Sequence, residues 1–328
     1  MENVEPARHL ANVEQAAKKE GKPILQETFK TTSRREIMHL AAASLGFLSL
    51  LLPESAEART RNADIRKKIF EKLEELREKD SLSRPKVEGP ISQGFGQCSN
   101  LQILRAGFHN LSGVIPSDIY TVSALQELYL PANKLSGVID GSIVNLINLT
   151  TLALYGNELT GQISQDIGRL SNLEHLLLHI NKLNGTLPQS LMNCTRLTTL
   201  NLRVNLLEGE LSAFDFSKFI QFRSIDLGNN FFSGRLPANL FLCKNLTAIR
   251  LATNRLNGEV LPDIMALQSL SFLSLSNNSL NNFTSAIRIL TGCKNLTTLI
   301  LSKNFYNEPL PGDENLIRED KIKYKRIH

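Results

Sequence analysis

The sequence predicts an α/β-type repeat solenoid of about nine coils, with a parallel sheet on its concave face. Three observations predict it: a polar residue returns at nearly constant spacing, a leucine pair L-x-L precedes it, and a glycine follows it. Successive polar positions are separated by 24, 24, 24, 24, 25, 24, 24 and 26 residues, which is too regular for chance. These positions are His109, Asn133, Asn157, Asn181, Asn205, Asn230, Asn254, Asn278 and Asn304.

The L-x-L pairs predict the strands. Alternate residues of a strand point to opposite faces, so pairs such as Leu128/Leu130 and Leu152/Leu154 indicate a short strand with one buried face. One coil cannot bury its own leucines, so we expect stability to come from stacking on neighbouring coils.

The polar residue and the glycine predict the turns. An asparagine side chain can satisfy backbone groups that a buried turn leaves unpaired. Glycine adopts left-handed dihedrals that other residues resist. The recurring glycines are Gly113, Gly137, Gly161, Gly185, Gly209, Gly234 and Gly258. Ile-Pro or Leu-Pro follows several of them, as at Ile115-Pro116, and fits an extended segment that leads into the return limb.

The full pattern, L-x-x-L-x-L-x-x-N-x-L-x-G-x-[IL]-P, is that of the leucine-rich repeat, and its 24-residue form resembles the plant extracellular subtype. Segments such as CSNLQILRAGFHNLSGVIPSDIY (98–120) and HLLLHINKLNGTLPQSLMNC (175–194) resemble the ectodomain of tyrosine-sulfated glycopeptide receptors. This resemblance covers about residues 91–311. It implies a secreted peptide or protein ligand, which can be tyrosine-sulfated, and allows for a co-receptor as a second partner.

The family also implies a kinase, a transmembrane helix and an island domain between repeats. The signatures of a kinase, a Gly-rich loop with VAIK, HRD and DFG, do not occur in the sequence. We therefore expect a truncated receptor-like module without its own signalling domain, and no enzyme.

The sequence contains no motif for a metal site, a cofactor or catalysis. His175 and His179 are the closest histidine pair, but along a strand they would lie about 13 Å apart, too far to share a metal.

The exposed strand positions predict the ligand-binding face. They form two columns on the concave face, a central one through Arg105 and Tyr129 and a neighbouring one through Tyr155 and His179. Aromatic and charged residues cluster there, and arginine pairs well with carboxylate and sulfate oxygens. The cluster therefore predicts an extended acidic or sulfated peptide as the ligand, although such residues on a wet sheet face can also bind nothing. The candidate ligand-binding residues are Arg105, Tyr129, Tyr155, His179, Arg203, Asp226 and Arg250.

Eight N-x-S/T motifs predict a glycoprotein that passes through the secretory route, although the N-L-T motifs also belong to the repeat pattern itself. They are Asn110, Asn148, Asn184, Asn193, Asn245, Asn277, Asn282 and Asn295.

The four cysteines occupy the same position within their coils. They are Cys98, Cys194, Cys243 and Cys293. The closest pairs are two coils apart, about 10 Å by the strand spacing, which exceeds the reach of a disulfide. We expect four free thiols in a buried small-residue slot and unprotected solenoid ends.

The charge distribution divides the chain into regions. Charged residues fill 32 of the first 90 positions but only 28 of the 221 from Ile91 to Pro311. This predicts a targeting-like leader (1–58), a charged helical segment or linker (59–90), the solenoid (91–311) and a polar tail (312–328). Neither half is strongly basic, so nucleic acid is not an expected partner.

The leader suggests a different compartment from the repeats. Arg34-Arg35, an apolar stretch and Ala56-Glu57-Ala58 resemble a twin-arginine signal of the thylakoid route. Acidic residues upstream count against a transit peptide. The repeat family favours the plasma membrane or extracellular space, and the conflict stays open between a genuine fusion and a faulty gene prediction. Two alternative functions also remain: an inhibitor of secreted wall-degrading enzymes, and a thylakoid-lumen interaction protein.

Overall fold

The computed structural model describes Lys68, Glu71, residues 86–306, Glu308 and the strand Tyr324–Arg326. The chain forms two compact units, Met1–Glu71 and Lys72–His328. In the first unit, Lys68 and Glu71 are exposed and helical. The predicted leader, with its twin arginines, lies outside the described residues.

Nineteen described strands, numbered β1 to β19 in chain order, form two parallel sheets. The lateral sheet contains β1 (Glu88–Pro90), β3 (Asn110–Gly113), β5 (Lys134–Val138), β7 (Glu158–Gln162), β9 (Lys182–Gly185), β11 (Leu206–Glu210), β13 (Phe231–Arg235), β15 (Arg255–Gly258) and β17 (Ser279–Leu280). The concave sheet contains β2 (Ile103–Arg105), β4 (Glu127–Tyr129), β6 (Thr151–Ala153), β8 (His175–Leu177), β10 (Thr199–Asn201), β12 (Ser224–Asp226), β14 (Ala248–Arg250), β16 (Phe272–Ser274), β18 (Thr298–Ile300) and β19 (Tyr324–Arg326).

The sequence-predicted register of the concave sheet is confirmed. Leu128 pairs with Leu152 on the next strand, and Leu152 pairs with Leu176. The exposed fraction of each of the three leucines is at most 1%. Each such leucine contributes roughly 2 kcal/mol by leaving water, so the stacked coils, and not any single coil, contain the core. The solenoid is curved and has a leucine-rich repeat fold.

The asparagine ladder forms as predicted and joins each coil to the next. Asn157, which is fully buried, donates its Nδ2 hydrogens to the carbonyls of Leu130, one coil earlier, and Leu154, at 3.0 and 2.9 Å. Its Oδ1 accepts from the backbone N–H of Leu135 at 3.1 Å. In the first coil, His109 cannot repeat this pattern, and its buried Nδ1 has no hydrogen-bond partner.

Left-handed backbone occurs at two positions of the coil, of which the sequence predicted one. All seven recurring glycines have positive φ, for example +78° at Gly161. The residue before the ladder asparagine is also left-handed, and there Ile180, Val204 and Thr253 have φ between 55° and 58°. β-branched residues rarely adopt this conformation, so the coil geometry imposes it on them.

The return limbs consist mainly of 3-10 turns. They cover Phe95–Gln97, Ser117–Thr121, Gly141–Asn145, Ile167–Arg169, Gln189–Asn193, Leu211–Ala213, Phe216–Lys218, Ala238–Leu242 and Pro262–Ala266. One α-helix, α1 (Phe283–Thr291), replaces the 3-10 turn near the C-terminal end. The Glu308 carboxylate accepts from the backbone N–H groups of Asn282 and Phe283 at 2.7 and 2.6 Å, so it caps the N-terminus of α1.

The four cysteines are free thiols, but the expected buried slot holds only three of them. Cys194 and Cys243 donate to carbonyls of the preceding coil at 3.6 and 3.2 Å, and Cys293 is also buried. Burial raises the pKa of Cys194 to about 12 and that of Cys243 to about 11, so both remain protonated near neutral pH. The prediction is wrong for Cys98, which is exposed because it belongs to the first coil.

The sequence predicted unprotected solenoid ends, but additional strands cover two of the sheet edges. Strand β19 pairs in parallel with β18, and thereby covers the C-terminal edge of the concave sheet. Strand β1 pairs with β3 in the same way at the first edge of the lateral sheet. Within the described residues, β2 remains the uncovered edge of the concave sheet. Segments outside the repeat pattern therefore extend both sheets.

Candidate functional site on the concave sheet

The concave sheet aligns the predicted ligand-binding residues in the two expected columns. Arg105 pairs with Tyr129 across β2 and β4, and Asp226 pairs with Arg250 across β12 and β14. Strand spacing is about 4.8 Å, so residues in one column are close neighbours. Six of the seven candidates lie on six successive coils, and we call them the concave strip: Tyr129, Tyr155, His179, Arg203, Asp226 and Arg250.

The first half of the concave strip is aromatic. The hydroxyl groups of Tyr129 and Tyr155 are 3.0 Å apart, within hydrogen-bond distance. The ring of Tyr155 stacks on that of His179, with centroids 4.3 Å apart and an interplanar angle of 11°. Three residues from different coils therefore hold each other in place, which leaves little side-chain entropy to lose when a ligand binds.

The second half of the concave strip is charged. Asp226 is only 8% exposed, and its Oδ1 accepts from the backbone N–H of Gly228 at 3.1 Å. Burial raises the pKa of Asp226 above its usual value of 3.8, while the positive charges of Arg203 and Arg250 act in the opposite direction. Burial likewise lowers the pKa of Arg203, and Asp226 opposes that change.

Arg250 is positioned by an aromatic residue that sequence reasoning did not select. Its guanidinium carbon lies 4.2 Å from the centroid of the Phe272 ring. This cation–π contact holds the guanidinium at the surface of the sheet while its N–H groups can still donate. Phe272 lies one coil further, at a strand position that faces the same side as Ala248, so the repeat register could have revealed it.

Arg105, the seventh candidate, lies next to Tyr129 at one end of the concave strip and is paired with an acidic residue. Its guanidinium forms two hydrogen bonds with the Glu127 carboxylate, at 2.7 and 2.5 Å, and this pairing raises the pKa of Arg105. A ligand would have to compete with Glu127 for this cation. The sequence columns contained Arg105 but not its diagonal partner.

Beyond Arg250 the side chains on the concave face are small. Ser274 and Ser276 are buried, and the Ser302 hydroxyl donates to that of Ser276 at 3.2 Å. These side chains offer a ligand little area and no net charge. The chemistry of the concave face is therefore concentrated between β4 and β16.

The predicted glycosylation sites differ in their surroundings. At Asn148, Asn245 and Asn295, the side-chain amide donates to a backbone carbonyl of the preceding coil, at 2.9, 3.0 and 2.5 Å. These three asparagines thus contribute to coil stacking, as their place in the repeat pattern suggests.

The other five predicted glycosylation sites lie outside that stacking position. Asn110 donates to Glu88 at 2.9 Å, and the Oδ1 of Asn282 accepts from Ser285 at the start of α1. Asn184 and Asn193 are exposed, and Asn277 is half-buried. Glycosylation at all eight sites stays a prediction.

The described residues contain no group of three metal-binding side chains. In the same part of the chain, no helix has the length and apolar character that crossing a bilayer requires.

The family model for the leucine-rich repeat matches residues 123–183, which covers coils that carry Tyr129, Tyr155 and His179. The fold and the variable concave face together define a leucine-rich repeat solenoid similar to plant receptor ectodomains.

Two curated relatives from Arabidopsis thaliana are similar over short stretches. Receptor-like protein 3 is 54% identical over 110 residues, which is 34% of this chain and 15% of that protein. Phytosulfokine receptor 1 is 59% identical over 49 residues, which is 15% of this chain and 5% of that receptor. The chain thus matches only a small part of each relative.

Solved plant receptor structures show the same fold. The peptide hormone receptor RGFR1, in complex with RGF2, is 31% identical with a TM-score of 0.58, and the match covers 67% of this chain and 39% of that receptor. The TDR receptor is 28% identical with a TM-score of 0.62, over 67% of this chain and 38% of the other. HAESA, an Arabidopsis receptor kinase in complex with the peptide hormone IDA and the co-receptor SERK1, is 27% identical with a TM-score of 0.56, over 67% and 40% of the two chains.

Proposed function

We propose that this protein is a non-catalytic, extracellular ligand-binding module that takes an extended anionic peptide, such as a tyrosine-sulfated one, along the concave strip. The observation that carries the proposal is the run of aromatic and then charged side chains on six successive coils, at positions the repeat itself leaves variable. The receptors RGFR1 and HAESA, with peptide hormones in their complexes, support a peptide as the class of ligand. A co-receptor, as in the HAESA complex, would be the second partner.

The dimensions of the concave strip suit a short peptide. From β4, which carries Tyr129, to β16, which carries the Phe272 ring beside Arg250, the sheet has six inter-strand spacings, or about 29 Å at 4.8 Å each. An extended peptide covers this length with about nine residues. The aromatic half offers packing area, and the charged half offers guanidinium groups that match carboxylate or sulfate oxygens.

The experiment is a calorimetric titration of the full chain with two nonapeptides that differ only in one group. Both have acetylated and amidated ends and a central tyrosine in a glycine-serine background, and one carries a tyrosine O-sulfate. We expect the sulfated peptide to bind with micromolar affinity and the unmodified one to bind much more weakly. The double variant Arg203→Gln/Arg250→Gln should lose about thirtyfold in affinity, since two charge-assisted contacts disappear.

The matched control is Arg169→Gln/Arg288→Gln, which removes the same charge from exposed positions on the return limbs. It should leave the affinity within about twofold, because distant exposed charges are screened by salt. No heat with the sulfated peptide would contradict the proposal, and so would an equal loss in both double variants.

A further inference from the structure

Three charged residues at the second half of the concave strip form a cluster with a formal charge of +1. We call Arg203, Asp226 and Arg250 the Arg–Asp–Arg cluster. Asp226 lies on β12 directly opposite Arg250 on β14, and Arg203 lies two residues beyond Asn201, which pairs with Asp226 from β10. Among the described residues, these two arginines are the charged groups that act on Asp226.

The Asp226 carboxylate is a fixed feature of this surface. Asp226 is only 8% exposed, and the backbone N–H of Gly228 donates a hydrogen bond that holds Oδ1 in place. Two guanidinium groups and one backbone N–H favour the ionised carboxylate against the effect of burial.

We infer that Asp226 makes the concave strip selective for groups of charge −1, such as a carboxylate or a sulfate monoester, over a phosphate of charge −2. The inference rests on the proposed function and narrows its ligand class. A group of charge −1 neutralises the Arg–Asp–Arg cluster, whereas a group of charge −2 leaves one negative charge without compensation in a partly desolvated site. The attraction grows in proportion to ligand charge, but the desolvation penalty grows with its square.

The same relation predicts what removing Asp226 does. The repulsion from its carboxylate is proportional to the ligand charge, so the gain in affinity for a dianion is the square of the gain for a monoanion. A neutral ligand gains nothing. If the monoanion gains about tenfold, the dianion gains about a hundredfold.

The test adds a phosphotyrosine nonapeptide to the sulfated and unmodified pair, at about pH 7.5, where phosphate is mainly dianionic. For the wild-type chain we expect the sulfated peptide to bind more tightly than the phosphorylated one. In Asp226→Asn, the phosphorylated peptide should gain about ten times more affinity than the sulfated one. The asparagine Oδ1 can still accept from Gly228, so the fold is retained.

Two control variants separate charge from position. Asp226→Glu keeps the carboxylate and should keep the preference for sulfate, whereas Asp263→Asn removes a negative charge from the exposed return limb and should change neither affinity. A wild-type preference for phosphate, a comparison that needs no variant, would overturn the inference. Equal gains for both modified peptides in Asp226→Asn would also overturn it. If the wild-type chain binds none of the three peptides, the proposed function fails as well.

Discussion

The asparagine ladder and the concave strip are built on the same coils but follow opposite rules. The ladder has one residue type at eight successive positions, from Asn133 to Asn304, and each asparagine bridges two coils. In the concave strip the residue type changes at almost every coil, from tyrosine to histidine, arginine and aspartate. The repeated asparagines thus provide hydrogen bonds to buried backbone groups and stabilise the fold, whereas the variable residues are available to recognise a ligand. A repeat protein can therefore alter its ligand without altering its fold.

Removing a ladder asparagine should give the largest effect on stability. Asn205→Ala would leave the buried Leu183 N–H without its side-chain acceptor. The Leu178 and Leu202 carbonyls would each lose one of two asparagine donors. We expect the free energy of unfolding to fall by about 3 kcal/mol, because an unsatisfied buried donor costs about 1–3 kcal/mol and each lost hydrogen bond about 0.5–1.5 kcal/mol. Urea denaturation of the full chain measures this change.

The control for the ladder is Asn148→Ala, which removes one exposed coil-to-coil hydrogen bond, from Asn148 to the Ser123 carbonyl. It should cost about 0.5–1 kcal/mol. Equal losses at Asn148 and Asn205 would mean that the buried ladder does not dominate the stability of the turns.

A second test of repetition concerns the recurring glycine. Gly161→Ala places a Cβ on a residue with φ of +78°, at 2.8 Å from a methyl group of Val138. The exposed valine side chain can move, so we expect a loss of about 1–2 kcal/mol, mainly from the left-handed backbone. Thermal unfolding measures it.

Gly141→Ala is the comparison for this change, since Gly141 has no positive φ and no atom within 4 Å of the added Cβ. It should be neutral or slightly stabilising. If Gly161→Ala proved equally harmless, the backbone requirement that we assign to the recurring glycine would be wrong.

The variable face should show its effect in binding and not in stability. Burial raises the pKa of Asp226, so acidification protonates its carboxylate and removes the negative charge beside the two arginines. Affinity for the sulfated nonapeptide, whose charge is constant, should therefore rise about tenfold as pH falls through the pKa of Asp226. Titrations between neutral and mildly acidic pH test this.

In Asp226→Asn that rise should be much smaller, because the carboxyl group that titrates has been removed. An identical pH profile for the variant and the wild-type chain would contradict a titrating carboxylate at this position.

The sequence predicted the features that repeat from coil to coil. Strand register, the asparagine ladder and the positive φ of glycines such as Gly161 follow from a period of 24, because identical residues must occupy identical places. Features that differ from one coil to another were not predictable in this way. The exposure of Cys98 depends on its being in the first coil, and the pairing of β19 with β18 has no repeat signature.

The same limit applies to the candidate site. The columns of exposed strand positions predicted where Tyr155 and His179 lie. They did not predict the stacking of the two rings, which depends on side-chain rotamers. The diagonal pairing of Arg105 with Glu127 and the Phe272 ring under Arg250 also depend on side-chain direction. Register therefore shows which residues share a face, and only the structure shows which of them are already engaged.

Photo-crosslinking tests most directly whether the concave strip binds the peptide. The sulfated nonapeptide would carry a benzophenone side chain at one end, and mass spectrometry of the crosslinked full chain would locate the contact. Crosslinks on the concave strands between β4 and β16, competed by the peptide without benzophenone, are the expected result. Competed crosslinks confined to the lateral sheet or the return limbs would show that the peptide binds elsewhere, and would contradict the assignment of the concave strip.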